Sequence, residues 1–141
     1  MIYWKIMAEE ARKSYVEQHI RETSLETLGK AAQHYSSYIR EKGTPTEKFR
    51  ISRDLSRMTQ SEREQWTRNT GEEFFYFLLT QFEHDANLLF DSRGGERGYI
   101  QLLDAKSTLE GWGLLSGPYA EIYPAMERRD WDKIQNLVSV M

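Results

Sequence analysis

The chain has 141 residues, with 19 Lys and Arg against 22 Asp and Glu for a formal net charge of −3, 39% apolar and 13% aromatic residues, and no cysteine. That composition is too aromatic for a disordered tail and too polar for a membrane protein, and the length is that of one ordinary domain with a real core. The lack of cysteine excludes disulfides, thiolate catalysis and thiolate-ligated metal, and the net charge removes any global attraction to nucleic acid or anionic lipid. The opening MIYWKIMAEEARK lacks the layout of a secretory signal, and no apolar run reaches the roughly 18 residues of a membrane span. The expectation is a cytoplasmic chain with no membrane association.

Helical periodicity runs through the sequence in order. From Trp4, positions Met7, Ala8, Ala11 and Tyr15 recur at three- and four-residue steps, which predicts a helix to about Glu22. Ser24 is the N-cap of a second helix with a stripe of Leu25, Leu28, Ala32, Tyr35 and Ile39, closed by Gly43 as a left-handed terminator. So short a connection predicts an antiparallel hairpin of these two helices. TPTE then forms a capping box, Thr44 with Glu47, with Pro45 at the first helical position where its missing N–H costs nothing.

The helix that follows, TEKFRISRDLSRM, turns Ile51, Leu55 and Met58 inward and Arg50, Arg53 and Arg57 outward. A second box, Thr59 with Glu62, opens the next helix. A third, Thr70 with Glu73, would start a separate apolar helix if Gly71 interrupts the chain there. DSRGGERG reads as a loop, YIQLLDAKSTLEGW as a helix, and GLLSGP as a break before a helix started by Pro118. The last helix begins after Asp130, with Trp131, Ile134, Leu137 and Val138 on its apolar side. No β-period alternation of useful length occurs. The fold class is therefore all-α, a single compact domain over residues 1–141 with about six or seven helices.

The run EEFFYFLLTQFEHDANLLF is the most apolar in the chain, yet it carries Glu83, His84 and Asp85. At 100° per residue Leu78, Leu89, Phe82, Phe75, Ala86, Leu79 and Phe90 share one arc, and Glu83, Asn87, Thr80, Glu73 and His84 share another. Asp85 falls between Phe74 and Leu78, at the edge of the apolar arc. A carboxylate there requires a partner, either an arginine of a neighbouring helix or a helix N-terminus. The sharper reading makes Glu83, His84 and Asp85 a polar pocket. The three histidines are far apart, and only His19 to Glu22, in reversed order, has helical metal-ligand spacing, so neither metal nor other cofactor is expected.

Arg12 and His19 differ by about 20° of arc and flank one apolar stripe. Over the eight residues RKSYVEQH this spacing resembles the one used by the HEPN ribonucleases. The resemblance implies an arginine acting on phosphate and a histidine acting on the 2′-hydroxyl or leaving group. Lys13 stands where that family has a small polar residue, and the pair lies early in the chain instead of late. The plainer reading is two side chains packing their apolar parts at a helix boundary. Arg50, Arg53 and Arg57 on one face would suit phosphates or carboxylates. They form the candidate binding surface.

No nucleophile elbow, phosphate loop or dinucleotide fingerprint occurs. These observations point away from an enzyme. They favour a small helical binding protein, an adaptor, inhibitor or accessory subunit, docking on a protein partner and compatible with homo-oligomerisation. The alternative is a nucleic-acid-binding subunit or ribonuclease that uses the arginine-rich helix, with Arg12 and His19 as its chemistry.

Overall fold

The computed structural model describes the backbone of residues 2–51, 55–88 and 95–140, and the side chains of 9–49, 56–87, 98–117, 119–134, 136 and 137. Among the described residues the fold is all-α, with no strand. Its helices are α1 (Ile2–Glu22), α2 (Leu25–Lys42), α3 (Pro45–Ile51), α4 (Gln60–Leu88), α5 (Gly95–Gly111), α6 (Pro118–Glu127) and α7 (Trp131–Val140), with a 3-10 turn at Leu55–Arg57. Seven helices agree with the expected six or seven. The described chain contains no helix long and apolar enough to cross a membrane.

Contacts divide the chain into two compact units, residues 1–15 with 76–141, and residues 16–75. Both divisions fall inside helices, α1 and α4. In the 16–75 unit, Val16 joins Leu28, Ala31, Ala32, Tyr35 and Ile39 of α2 and Phe74 and Phe75 of α4 as buried apolar residues. α3 packs on α2. In the other unit the core is Leu79, Phe82 and Ala86 of α4, Leu102 and Leu109 of α5, Leu114, Tyr119, Ile122, Tyr123 and Met126 around α6, and Ile134 and Leu137 of α7.

Local signals set the helix starts. The Ser24 hydroxyl accepts from the N–H of Thr27 at 3.2 Å. Thr44 and Glu47 exchange hydrogen bonds at 3.0 and 3.2 Å. Thr59 and Glu62 do the same at 3.4 and 3.2 Å. Asp130 caps α7 through the N–H of Lys133 at 3.2 Å. Each satisfies donors that a helix leaves open in its first turn.

Helix ends use two kinds of geometry. After α5, Gly113 sits at φ 73, with its N–H on Glu110 and that of Leu114 on Leu109, a Schellman closure that needs the glycine. After α6 the equivalent position is Arg129 at φ 53, with Asp130 N–H reaching Ala125 at 2.9 Å. Gly43 differs from the expectation. Its φ of −76 and ψ of 163 are extended, and its N–H bonds Ile39 at 2.8 Å. What it supplies is close approach, since a Cβ there would lie 2.6 Å from the Ile39 carbonyl oxygen.

Other expectations need correction. α3 is described over Pro45–Ile51 and Leu55–Arg57 is a 3-10 turn, so the segment to Met58 is not one α-helix, while residues 52–54 lie outside the described residues. Gly95, Glu96, Arg97 and Gly98, read as loop, are the first turn of α5, while residues 91–94 lie outside the described residues. Ala11 is exposed, and among the described side chains of α1 the buried ones are Arg12 and Val16, while those of Trp4, Met7 and Ala8 lie outside the described residues. Leu25 and Trp131 are exposed at the starts of their helices. Thr70 and Glu73 do not start a helix, because α4 runs unbroken through Gly71 and Thr70 is buried inside it.

Gly71 is in α4 because α2 passes close by. A Cβ there would stand 3.0 Å from Leu28 Cδ2, and Leu28 is fully buried. The roughly 1 kcal/mol that glycine costs a helix interior is offset by that contact. Gly71→Val forces Leu28 off its position, and overpacking of this kind costs about 1–3 kcal/mol. Urea denaturation is expected to show a loss in this range. A variant as stable as the wild type would mean that Leu28 does not confine the site.

Candidate functional site

Arg12 is the anchor of the most polar buried arrangement in the 1–15 and 76–141 unit. Its side chain is about nine-tenths buried, and Nη1 forms an ion pair with Oε2 of Glu83, itself equally buried. Nη2 donates to the Tyr76 hydroxyl at 3.2 Å, and Cζ lies 4.8 Å from the centroid of the same ring. Tyr76 and Glu83 are seven residues apart on α4, two turns and about 10 Å along one face, which one guanidinium bridges. Arg12 Nε and Glu83 Oε1 have no hydrogen-bond partner among the described residues.

Tyrosines pack around this pair. Tyr15, one turn beyond Arg12, packs at a tilt against Tyr119 with centroids 5.1 Å apart, donates to the Leu114 carbonyl at 2.8 Å, and shares a hydrogen bond with Ser116. Phe82 meets Tyr119 edge-on at 5.2 Å and Tyr123 at 6.3 Å. Burial pushes the Tyr119 phenol up to about 12, Arg12 opposes that rise, and Tyr15 and Tyr76 add to it. Tyr123 donates to the Leu102 carbonyl at 2.7 Å, and its phenol is raised by burial and then by Asp85. Tyr119 and Tyr123 are thus core, and Trp112 is half-buried.

The structure redistributes the charges of the apolar run. Glu83, placed by the helical wheel on the polar arc, is buried, because Arg12 of α1 covers that face of α4 and gives it a counter-charge. His84 is exposed and Asp85 half-buried. No ion pair of Asp85 occurs among the described residues, and the arginine expected for it serves Glu83. Burial raises the Asp85 carboxyl above its ordinary value, and His84 lowers it. Glu83 is thus buried with Arg12, while the exposed His84 acts on the half-buried Asp85.

Arg12 and His19 are each described within their own unit. Arg12 is engaged as above, and His19, half-buried in the 16–75 unit, meets Phe75 edge-on with centroids 5.0 Å apart. Of the arginine-rich segment, Arg57 is exposed in the 3-10 turn, while Arg53 and the side chain of Arg50 lie outside the described residues. No group of three His, Asp or Glu spaced for a metal ion occurs among the described residues. Sequence reasoning missed Glu83 with Tyr76. Their seven-residue spacing was the available signal, but it becomes informative only once Arg12 is known to face α4.

No family model matches the chain, and no curated protein or solved structure does either.

The raised Asp85 carboxyl has a pH signature. The folded chain holds that proton more tightly than the unfolded chain, so the ionised form costs stability above the unfolded carboxyl range and the cost is relieved as pH falls through the folded value. Asp85→Asn cannot ionise. It is expected to be more stable than the wild type at pH 7, with the difference narrowing as pH is lowered through the carboxyl range. Thermal denaturation showing an equal or less stable variant at pH 7 would contradict this.

Proposed function

We propose that this chain is a non-catalytic helical binding protein, an adaptor, inhibitor or accessory subunit, acting in the cytoplasm by docking on another protein. One observation carries the reading. Large apolar side chains stand on the surface of its helices: Phe49 is 84% exposed, Ile100 53%, Trp131 49% and Leu103 47%. Ile100 and Leu103 are three residues apart and share a face of α5. Aromatic and aliphatic groups held outward on regular elements make suitable anchors for a partner surface.

The charged groups fit the same reading. The arginine best placed for chemistry is neutralised by Glu83 and half-enclosed by Tyr76. A guanidinium committed in this way gives a substrate phosphate little purchase. Nucleic acid is the competing partner, to be separated by experiment.

Chemical cross-linking and affinity capture with the purified protein test the reading against a variant carrying Phe49→Ser, Ile100→Ser and Leu103→Ser. The expected result is saturable capture of a protein partner by the wild type and its loss in the variant, with unchanged circular dichroism. Salt-sensitive gel retardation of RNA or DNA between about 50 and 200 mM salt, equal in both proteins and with no protein captured, would overturn it.

A further inference from the structure

We infer that the outward face of α5 is the docking surface and that its occupant is a basic amphipathic helix of a partner protein. This rests on the docking function proposed above and names the partner's chemistry. The other side of α5 fixes its register. Leu102 and Leu109 are buried, Tyr123 of α6 donates to the Leu102 carbonyl at 2.7 Å, and Lys106 Nζ lies 5.5 Å from the centroid of the Tyr123 ring. At 100° per residue the opposite arc, about 120° wide, holds Ile100, Leu103, Asp104, Ser107, Glu110 and Gly111. All six are exposed. Ile100 and Leu103 make its apolar ridge. Ser107 and Gly111, in the turns that follow, are small, and a Cβ at Gly111 would meet nothing within 4 Å. A ridge beside open space is relief that the side chains of a second helix can fill.

Charge selects that helix. Asp104 and Glu110 stand at the two edges of the apolar row, and neither takes part in an ion pair among the described residues. Lys106 is the one base among the described side chains of α5, and with its charge counted these side chains remain net negative. The surroundings have the same sign. Residues 1–15 and 76–141 hold twelve Asp and Glu against nine Lys and Arg, whereas residues 16–75 hold ten of each. An apolar row edged by carboxylates on both sides is complementary to a helix whose own apolar row is edged by Lys and Arg. A second copy of the chain fits less well, since a two-fold contact sets Asp104 and Glu110 against the same two acids. RNA and an anionic bilayer meet like-charge opposition at this face.

Selection from a random library of helical peptides on the full chain, followed by fluorescence anisotropy of the selected peptides, tests the inference. Oligouridine RNA, phosphatidylserine vesicles and self-association by sedimentation are measured in parallel. The expected result is peptides with Lys and Arg flanking an apolar row. Their affinity should fall about tenfold or more with Ile100→Ser plus Leu103→Ser and with Asp104→Lys plus Glu110→Lys, and weaken between about 50 and 200 mM salt. Glu9→Lys plus Glu10→Lys makes the same change of net charge at exposed positions of α1 and should leave the affinity within about threefold. The substituted positions are all exposed, so each variant should keep the wild-type circular dichroism. Equal losses from the two charge reversals, peptides without basic enrichment, or peptides lost on Phe49→Ser and indifferent to the α5 variants would overturn this surface and leave the docking function standing. Self-association lost on Ile100→Ser plus Leu103→Ser would overturn the occupant in favour of a second copy. Failure to select any peptide would overturn the surface, and RNA or vesicle binding alongside that failure would overturn the docking function as well.

Discussion

The constraint on which the 1–15 and 76–141 unit depends is that Arg12 and Glu83 are buried together. Neither charge can leave water alone without a penalty of several kcal/mol, so each position is tolerable only while the other is in place. Tyr76, two turns before Glu83, takes a second guanidinium nitrogen and offers its ring face. One side chain of α1 therefore fixes which face of α4 it meets and at what height. A slide of α1 by one turn would strand both charges. Tyr15 carries the same helix to the α5–α6 connection, where it bonds Leu114 and Ser116 and packs on Tyr119.

That arrangement bears on function through what it consumes. A buried, neutralised arginine is a structural part, and the tyrosines around it are occupied as core. The exposed large apolar side chains among the described residues lie outside this arrangement and include Phe49 of α3 and Ile100 with Leu103 of α5. The 16–75 unit solves a different packing problem. Its α2 and α4 approach closely because Gly71 omits a side chain against Leu28, and its α2–α3 corner turns tightly because Gly43 omits one against Ile39. Small residues set spacing there, and a charge pair sets register in the other unit.

The legible parts of the sequence were those decided by neighbours in the chain. The Ser24 cap, the Thr44 and Thr59 boxes and the Asp130 start are local exchanges between residues three apart, and each is found. The α2 stripe from Leu28 to Ile39 and the α4 arc of Phe75, Leu79, Phe82 and Ala86 were also legible, since one-sided burial leaves a 3.6-residue period. Thr70 with Glu73 has the same spelling as a true box, but helix context overrode it because α2 packs against Gly71. Glu83 was misplaced for a related reason: a wheel separates polar from apolar and has no means of showing a buried carboxylate whose partner is 71 residues away. Asp85, given an arginine or a helix N-terminus by pattern, has no ion pair among the described residues and is acted on by His84. Gly43 was read by its residue type as left-handed, when the chain needed its missing Cβ.

The most direct test is a double-mutant cycle on Arg12 and Glu83, measured by urea denaturation with Arg12→Met, Glu83→Leu and the two combined. Each single change should cost about 3–5 kcal/mol by stranding a buried charge, and the double variant should cost far less than the two together, because both charges are then gone. Additive losses, or single variants within about 1 kcal/mol of the wild type, would contradict the claim that this pair sets how α1 meets α4.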